Sequence, residues 1–75
     1  MTRLPACSGL KVAKAFSGIG YKLDHQTGSH MILRHSVSGR RLVIPNHPEL
    51  AKGNLRSIIR ESGLSKEEFE TLLRS

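Results

Sequence analysis

Tyr21-Lys22-Leu23-Asp24-His25-Gln26-Thr27-Gly28-Ser29-His30-Met31-Ile32-Leu33-Arg34-His35 sets the fold expected of this 75-residue chain. Apolar and polar residues alternate on both sides of a glycine, the pattern of two strands joined by a tight turn. A three-residue loop, Gln26-Thr27-Gly28 with Gly28 in the left-handed conformation, sets Leu23 opposite Met31 and Tyr21 opposite Leu33 on one face. Asp24 then falls opposite His30 on the other face. A two-residue loop would mix apolar and polar positions on both faces, so three residues are expected. Ser29 to His35 is the returning strand, and a hydroxyl and an imidazole are the first groups to emerge from the turn.

A second hairpin turns through Ser36-Val37-Ser38-Gly39 into Arg40 to Ile44, pairing Leu33 with Leu42 and Met31 with Ile44. The predicted sheet therefore has one apolar face to be covered by helices. Its other face gathers Lys22, Asp24, His30, Arg34 and Arg41, with only Ile32 and Val43 between them. Arg34 and Arg41 stand directly opposite each other, a like-charge pair that costs stability unless something anionic lies over it or the long side chains splay into solvent. Pro45 and Pro48 end the sheet, because proline cannot continue the ladder.

Helices are expected on either side of these strands. Ser8 is an N-cap for a helix running to about Ser17, with Val12, Phe16 and Ile19 on its apolar stripe, Leu10 and Ala13 beside them, and Lys11 and Lys14 opposite. Asn54 or Gly53 caps a second helix that carries Leu55, Ile58 and Ile59 inward and stops at Gly63. Lys52 and Arg56 lie at its N-terminal end, where helix geometry favours anions. Ser65-Lys66-Glu67-Glu68 is a capping box, with Leu64 and Phe69 as its hydrophobic staple, opening a last short helix that carries Phe69, Leu72 and Leu73. The order helix, three antiparallel strands, helix, extra helix is that of a double-stranded-RNA-binding-like α+β domain with its helices on one sheet face, filling residues 1–75 as one domain.

The charge is +6 and unevenly spread: ten basic and two acidic side chains in residues 1–60, two basic and four acidic in residues 61–75. A basic body points to a polyanionic partner, most simply nucleic acid. A lone cysteine, Cys7, excludes an internal disulfide and fits a reducing cytoplasm. No run is apolar enough for a signal peptide or a membrane span, so a cytoplasmic protein is expected. A two-metal nuclease needs clustered carboxylates, and residues 1–60 offer only Asp24 and Glu49. The four histidines and one cysteine lack zinc-ligand spacing, so neither metal nor cofactor is expected.

Four segments carry a resemblance to a known family: Gly20-Tyr21, Gln26-Thr27-Gly28-Ser29-His30, Pro45-Asn46-His47, and Lys52-Gly53-Asn54-Leu55-Arg56-Ser57-Ile58-Ile59-Arg60-Glu61-Ser62-Gly63-Leu64-Ser65. In this order and spacing the chain resembles the HicA toxins, small mRNA interferases of toxin–antitoxin modules. The resemblance implies a dsRBD-like fold, RNA cleavage relying on the histidine after Gly-Ser, here His30, and neutralisation by a HicB antitoxin. Asn54 stands where members usually carry Thr, and His25 where Arg is common.

The chemistry agrees with that implication. RNA carries its own nucleophile in the 2′-OH, and an imidazole that titrates near neutrality can remove its proton while cations hold the phosphate. His30 is the candidate base, Asp24 a group to orient it, and Lys22, Arg34, Arg41, Lys52 and Arg56 are candidate phosphate contacts. Ser29 and His47 are possible supporting residues, His47 being as well accounted for by turn contacts. The alternative is a non-catalytic module that holds an RNA helix by shape and phosphate contacts; an interaction domain that binds protein alone is a third reading. The open sheet face, with Ile32 and Val43 among its charges, is the surface a HicB-type antitoxin would cover.

Overall fold

The computed structural model describes residues 7–74. Their order is α1 (Gly9–Ser17), β1 (Tyr21–Thr27), β2 (His30–His35), β3 (Arg41–Pro45), α2 (Lys52–Ser62) and α3 (Lys66–Arg74), an α+β chain with a three-stranded antiparallel sheet in the order β1-β2-β3. The helix–three strands–helix–helix order is the one expected. Alternation in β2 and β3 buries Met31, Leu33, Leu42 and Ile44 on one face, where they join Val12 and Phe16 of α1, Leu55, Ile58 and Ile59 of α2, and Phe69 of α3 in a single core. Phe16 sits at its centre, edge-on to Tyr21 with ring centroids 5.4 Å apart and 5.9 Å from Phe69. Burying such a ring contributes roughly 1.5–3 kcal/mol, so one aromatic cluster ties α3 to α1 and the sheet. Cys7 is buried in the same core, and burial pushes its thiol pKa up, as befits an inert packing residue.

Local chemistry sets the helix ends. Ser8 Oγ accepts from Lys11 N–H at 3.1 Å, as an N-cap should. Ser65 and Glu68 close the capping box reciprocally, Ser65 N–H donating to Glu68 Oε1 at 2.8 Å and Glu68 N–H to Ser65 Oγ at 3.1 Å. Two helix expectations fail. Ile19 lies beyond the end of α1 and is 39 % exposed rather than turned inward. α2 starts at Lys52 with Ala51 as its N-cap and no side-chain capping bond, so Asn54 and Gly53 sit inside its first turn. The reason is tertiary: Leu50 is buried and its N–H donates to Cys7 O at 2.9 Å, which fixes the entry to α2 before either polar residue is reached.

The second hairpin has the expected register, with Leu33 opposite Leu42, Met31 opposite Ile44 and Arg34 opposite Arg41. The first does not. Its loop is only Gly28-Ser29, Thr27 pairs with His30, and the ladder is restored by a β-bulge between Leu23 and His25 that leaves Asp24 as the extra residue. Gly28 takes φ +53° at the first loop position, where a primed hairpin turn needs positive φ. Leu23 therefore faces Leu33, not Met31, and Asp24 is opposite no residue.

Candidate nucleic-acid interface

Antiparallel partners point to the same side of a sheet, so the register arranges the uncovered face in three transverse rows. The first row is Lys22, Arg34 and Arg41, all exposed; the second is His25, Ile32 and Val43; the third is Thr27, His30 and Pro45. A basic edge grades through an apolar middle to a histidine. Arg34 lies four residues along β2 from His30, roughly 13 Å at about 3.3 Å per residue. The basic row and His30 are therefore well separated along the sheet.

His30 is exposed, and its imidazole makes no hydrogen bond among the described residues. Its backbone is nonetheless firmly held. Thr27 pairs with it on one side and Pro45 on the other, and Asn46 N–H donates to the carbonyl of Ser29 at 2.6 Å, stitching the β1–β2 turn to the segment after β3. That segment is held in turn by α1, where Gly9 N–H donates to His47 O at 3.0 Å. A side chain at Gly9 would collide with the Pro45 carbonyl, so only glycine lets the helix start pass this close to the end of β3. His47 consequently stands at the same end of the sheet as His30, exposed.

Asp24 does not orient His30. Its Oδ2 accepts from His25 Nδ1 at 3.0 Å. This hydrogen bond is the chief reason the Asp24 carboxyl is held below the usual carboxylate range; desolvation opposes it, and attraction to Arg34, His25 and Arg41 adds to it. The carboxylate thus also relieves the Arg34–Arg41 repulsion. Lys52 and Arg56 belong to the helix layer, whose inward residues cover the opposite side of the sheet, and they are not gathered with Arg34 and Arg41.

His25 is the residue that the sequence pattern alone leaves outside the site. An unbroken strand would have turned it to the core side with Leu23, whereas the bulge carries it across to the open face opposite Ile32. A signal was present, since Gly-Ser is itself a two-residue hairpin loop pattern. No group of three or more His, Cys, Asp or Glu suited to a metal ion occurs among the described residues, and no helix there is long and apolar enough to cross a membrane. A cleft of about 370 Å³ lies away from the sheet face, between the end of α1 and α3, lined by Ile19, Leu64 and Leu72. Among curated proteins none matches the chain. Residues 9–64 match the family model described as "HicA toxin of bacterial toxin-antitoxin".

Proposed function

The chain belongs to the HicA toxin family, and from that premise we propose that it is a metal-independent endoribonuclease that cuts messenger RNA, with His30 as general base. The 2′-OH of the substrate gives its proton to the His30 imidazole, the resulting oxygen attacks the adjacent phosphorus, and the P–O5′ bond breaks as a proton is delivered to the leaving oxygen. The products are a 2′,3′-cyclic phosphate and a 5′-OH end, with no water or metal consumed in the step. The observation that carries this reading is the state of His30: exposed, unpartnered among the described residues, and mounted on a backbone fixed from three sides. A general base needs a free nitrogen and a rigid mount. Lys22, Arg34 and Arg41 hold phosphates along the strand, and Ser29, His47, Lys52 and Arg56 are left with peripheral contacts to the flanking RNA.

A toxin of such a module has a cognate antitoxin. We assign the open sheet face to a HicB-type partner, with the exposed Val43 and its neighbour Ile32 as apolar anchor and the basic row meeting acidic groups. The test is cleavage of single-stranded RNA in excess chelator by the parent and by His30→Ala. Cleavage by the parent and a loss of roughly 10²- to 10⁴-fold in the folded variant is the expected result. Binding of duplex RNA without cleavage by the parent would favour the non-catalytic module instead.

A further inference from the structure

We propose that His25, oriented by Asp24, is the second proton-transfer group of the site and protonates the departing 5′ oxygen while His30 takes the proton of the 2′-OH. The inference rests on the ribonuclease reading and completes it. In an in-line displacement the attacking and leaving oxygens lie on opposite sides of phosphorus, so acid and base must reach the phosphate from two points. The two rows of the open face nearest His30 are Thr27 and Pro45, then His25, Ile32 and Val43. His25 is the one titratable side chain among those five. The charged groups that face it are Asp24, beside it, and Lys22, Arg34 and Arg41 in the row beyond.

The spacing suits the task. Because His25 pairs with Ile32, it is the diagonal neighbour of His30, about 7–8 Å away between Cα atoms on the same face. Two hydrogen-bond reaches of about 3 Å each, on either side of one phosphorus, ask for imidazoles separated on that scale. The tautomer suits it as well. An ionised carboxylate can only accept, so His25 Nδ1 donates to Asp24 Oδ2 and Nε2 is left for substrate. Asp24 is a positioning residue, and the bulge explains how it serves: freed from the ladder, it stands beside His25 rather than across from another strand. In the step, His25 enters as the imidazolium, its Nδ1–H held by Asp24, and gives the Nε2 proton to O5′ as the P–O5′ bond breaks, while neutral His30 gains the 2′-OH proton. Exchange with solvent restores both rings.

The experiment uses a single-stranded RNA that the parent cuts at one mapped linkage, made with either oxygen or sulfur at the bridging 5′ position. A thiolate leaves without protonation. His25→Ala and the closer replacement His25→Gln are expected to lose roughly 10²- to 10³-fold on the oxygen linkage but less than about tenfold on the sulfur linkage, while His30→Ala loses on both. Asp24→Asn shows the same selective loss at smaller size. Parental rates on the oxygen linkage in both His25 variants, or equal losses on the two linkages, would overturn the assignment and leave the ribonuclease standing. Failure of the parent to cut any RNA removes the function and this inference with it.

Discussion

Strand β2 begins and ends with a histidine, and the two ends could hardly differ more. His30 makes no side-chain hydrogen bond among the described residues, whereas His35 is pinned at both ring nitrogens. Val37 and Ser38 N–H both donate to His35 Nδ1, at 3.1 and 3.2 Å, so Nε2 carries the proton and donates to Ile19 O at 2.9 Å. The ring also stands edge-on to Tyr21, 5.0 Å between centroids. One residue type in one strand thus yields an exposed imidazole without a hydrogen-bond partner among the described residues at one end and a structural clip at the other. What separates them is whether turn backbone has consumed the ring's hydrogen-bonding capacity.

The sharpest way to break the contrast is to truncate each histidine. His30→Ala should lower RNA cleavage by roughly 10²- to 10⁴-fold with an unchanged unfolding midpoint. Next in size is the middle of the sheet: Val43→Asp, at a position 48 % exposed and opposite Ile32, should weaken antitoxin binding by about 2 kcal/mol or more, read by calorimetry, in a domain that still folds. His35→Ala is the mirror image of the first variant. It should cost about 1–3 kcal/mol of stability in denaturant unfolding, since three hydrogen bonds go, while activity per folded molecule stays near parental. If His35→Ala lost activity without losing stability, the division between the two ends would be wrong.

Smaller effects sharpen the picture. Arg34→Ala and Arg41→Ala should each reduce the slope of log affinity against log salt by about 0.7 for single-stranded RNA, one phosphate contact apiece. Unchanged slopes would take the basic row out of the RNA path. The smallest effect is the titration of Asp24. With its folded pKa depressed, its stabilising contribution is complete at neutral pH and is lost as pH falls through that lowered value. Carboxyl NMR should find the midpoint below the ordinary Asp range, and His25→Ala should move it up, because the His25 hydrogen bond is the largest cause.

Most of the fold was legible because its determinants are local. The capping box at Ser65, the cap at Ser8 and the alternation of β2 and β3 each act over a few residues and leave a direct trace. β1 was harder for a physical reason. It is an edge strand in which only Tyr21 is buried, and Leu23 is 56 % exposed, so the apolar pattern that sets register elsewhere carries little weight there. The bulge at Asp24 has no glycine to announce it. Its consequence for the candidate site is large: simple alternation puts His30, Arg34 and Arg41 on the face they occupy, but pairs Asp24 with His30 instead of His25 and turns His25 to the wrong side. The start of α2 was hidden for a different reason, since a long-range contact between Leu50 and Cys7 sets it.

The segment after β3 is tied to its surroundings by main-chain bonds: Asn46 N–H to Ser29 O, Gly9 N–H to His47 O, and Leu50 N–H to Cys7 O. None of these uses the side chain of residue 46 or 47. The rim beside His30 can therefore change its chemistry, residue by residue, without moving the mount that holds the imidazole. Such a fold separates what it must keep from what it is free to vary: the side chains at positions 46 and 47 can be exchanged while the geometry at Gly9 and Ser29 stays as it is.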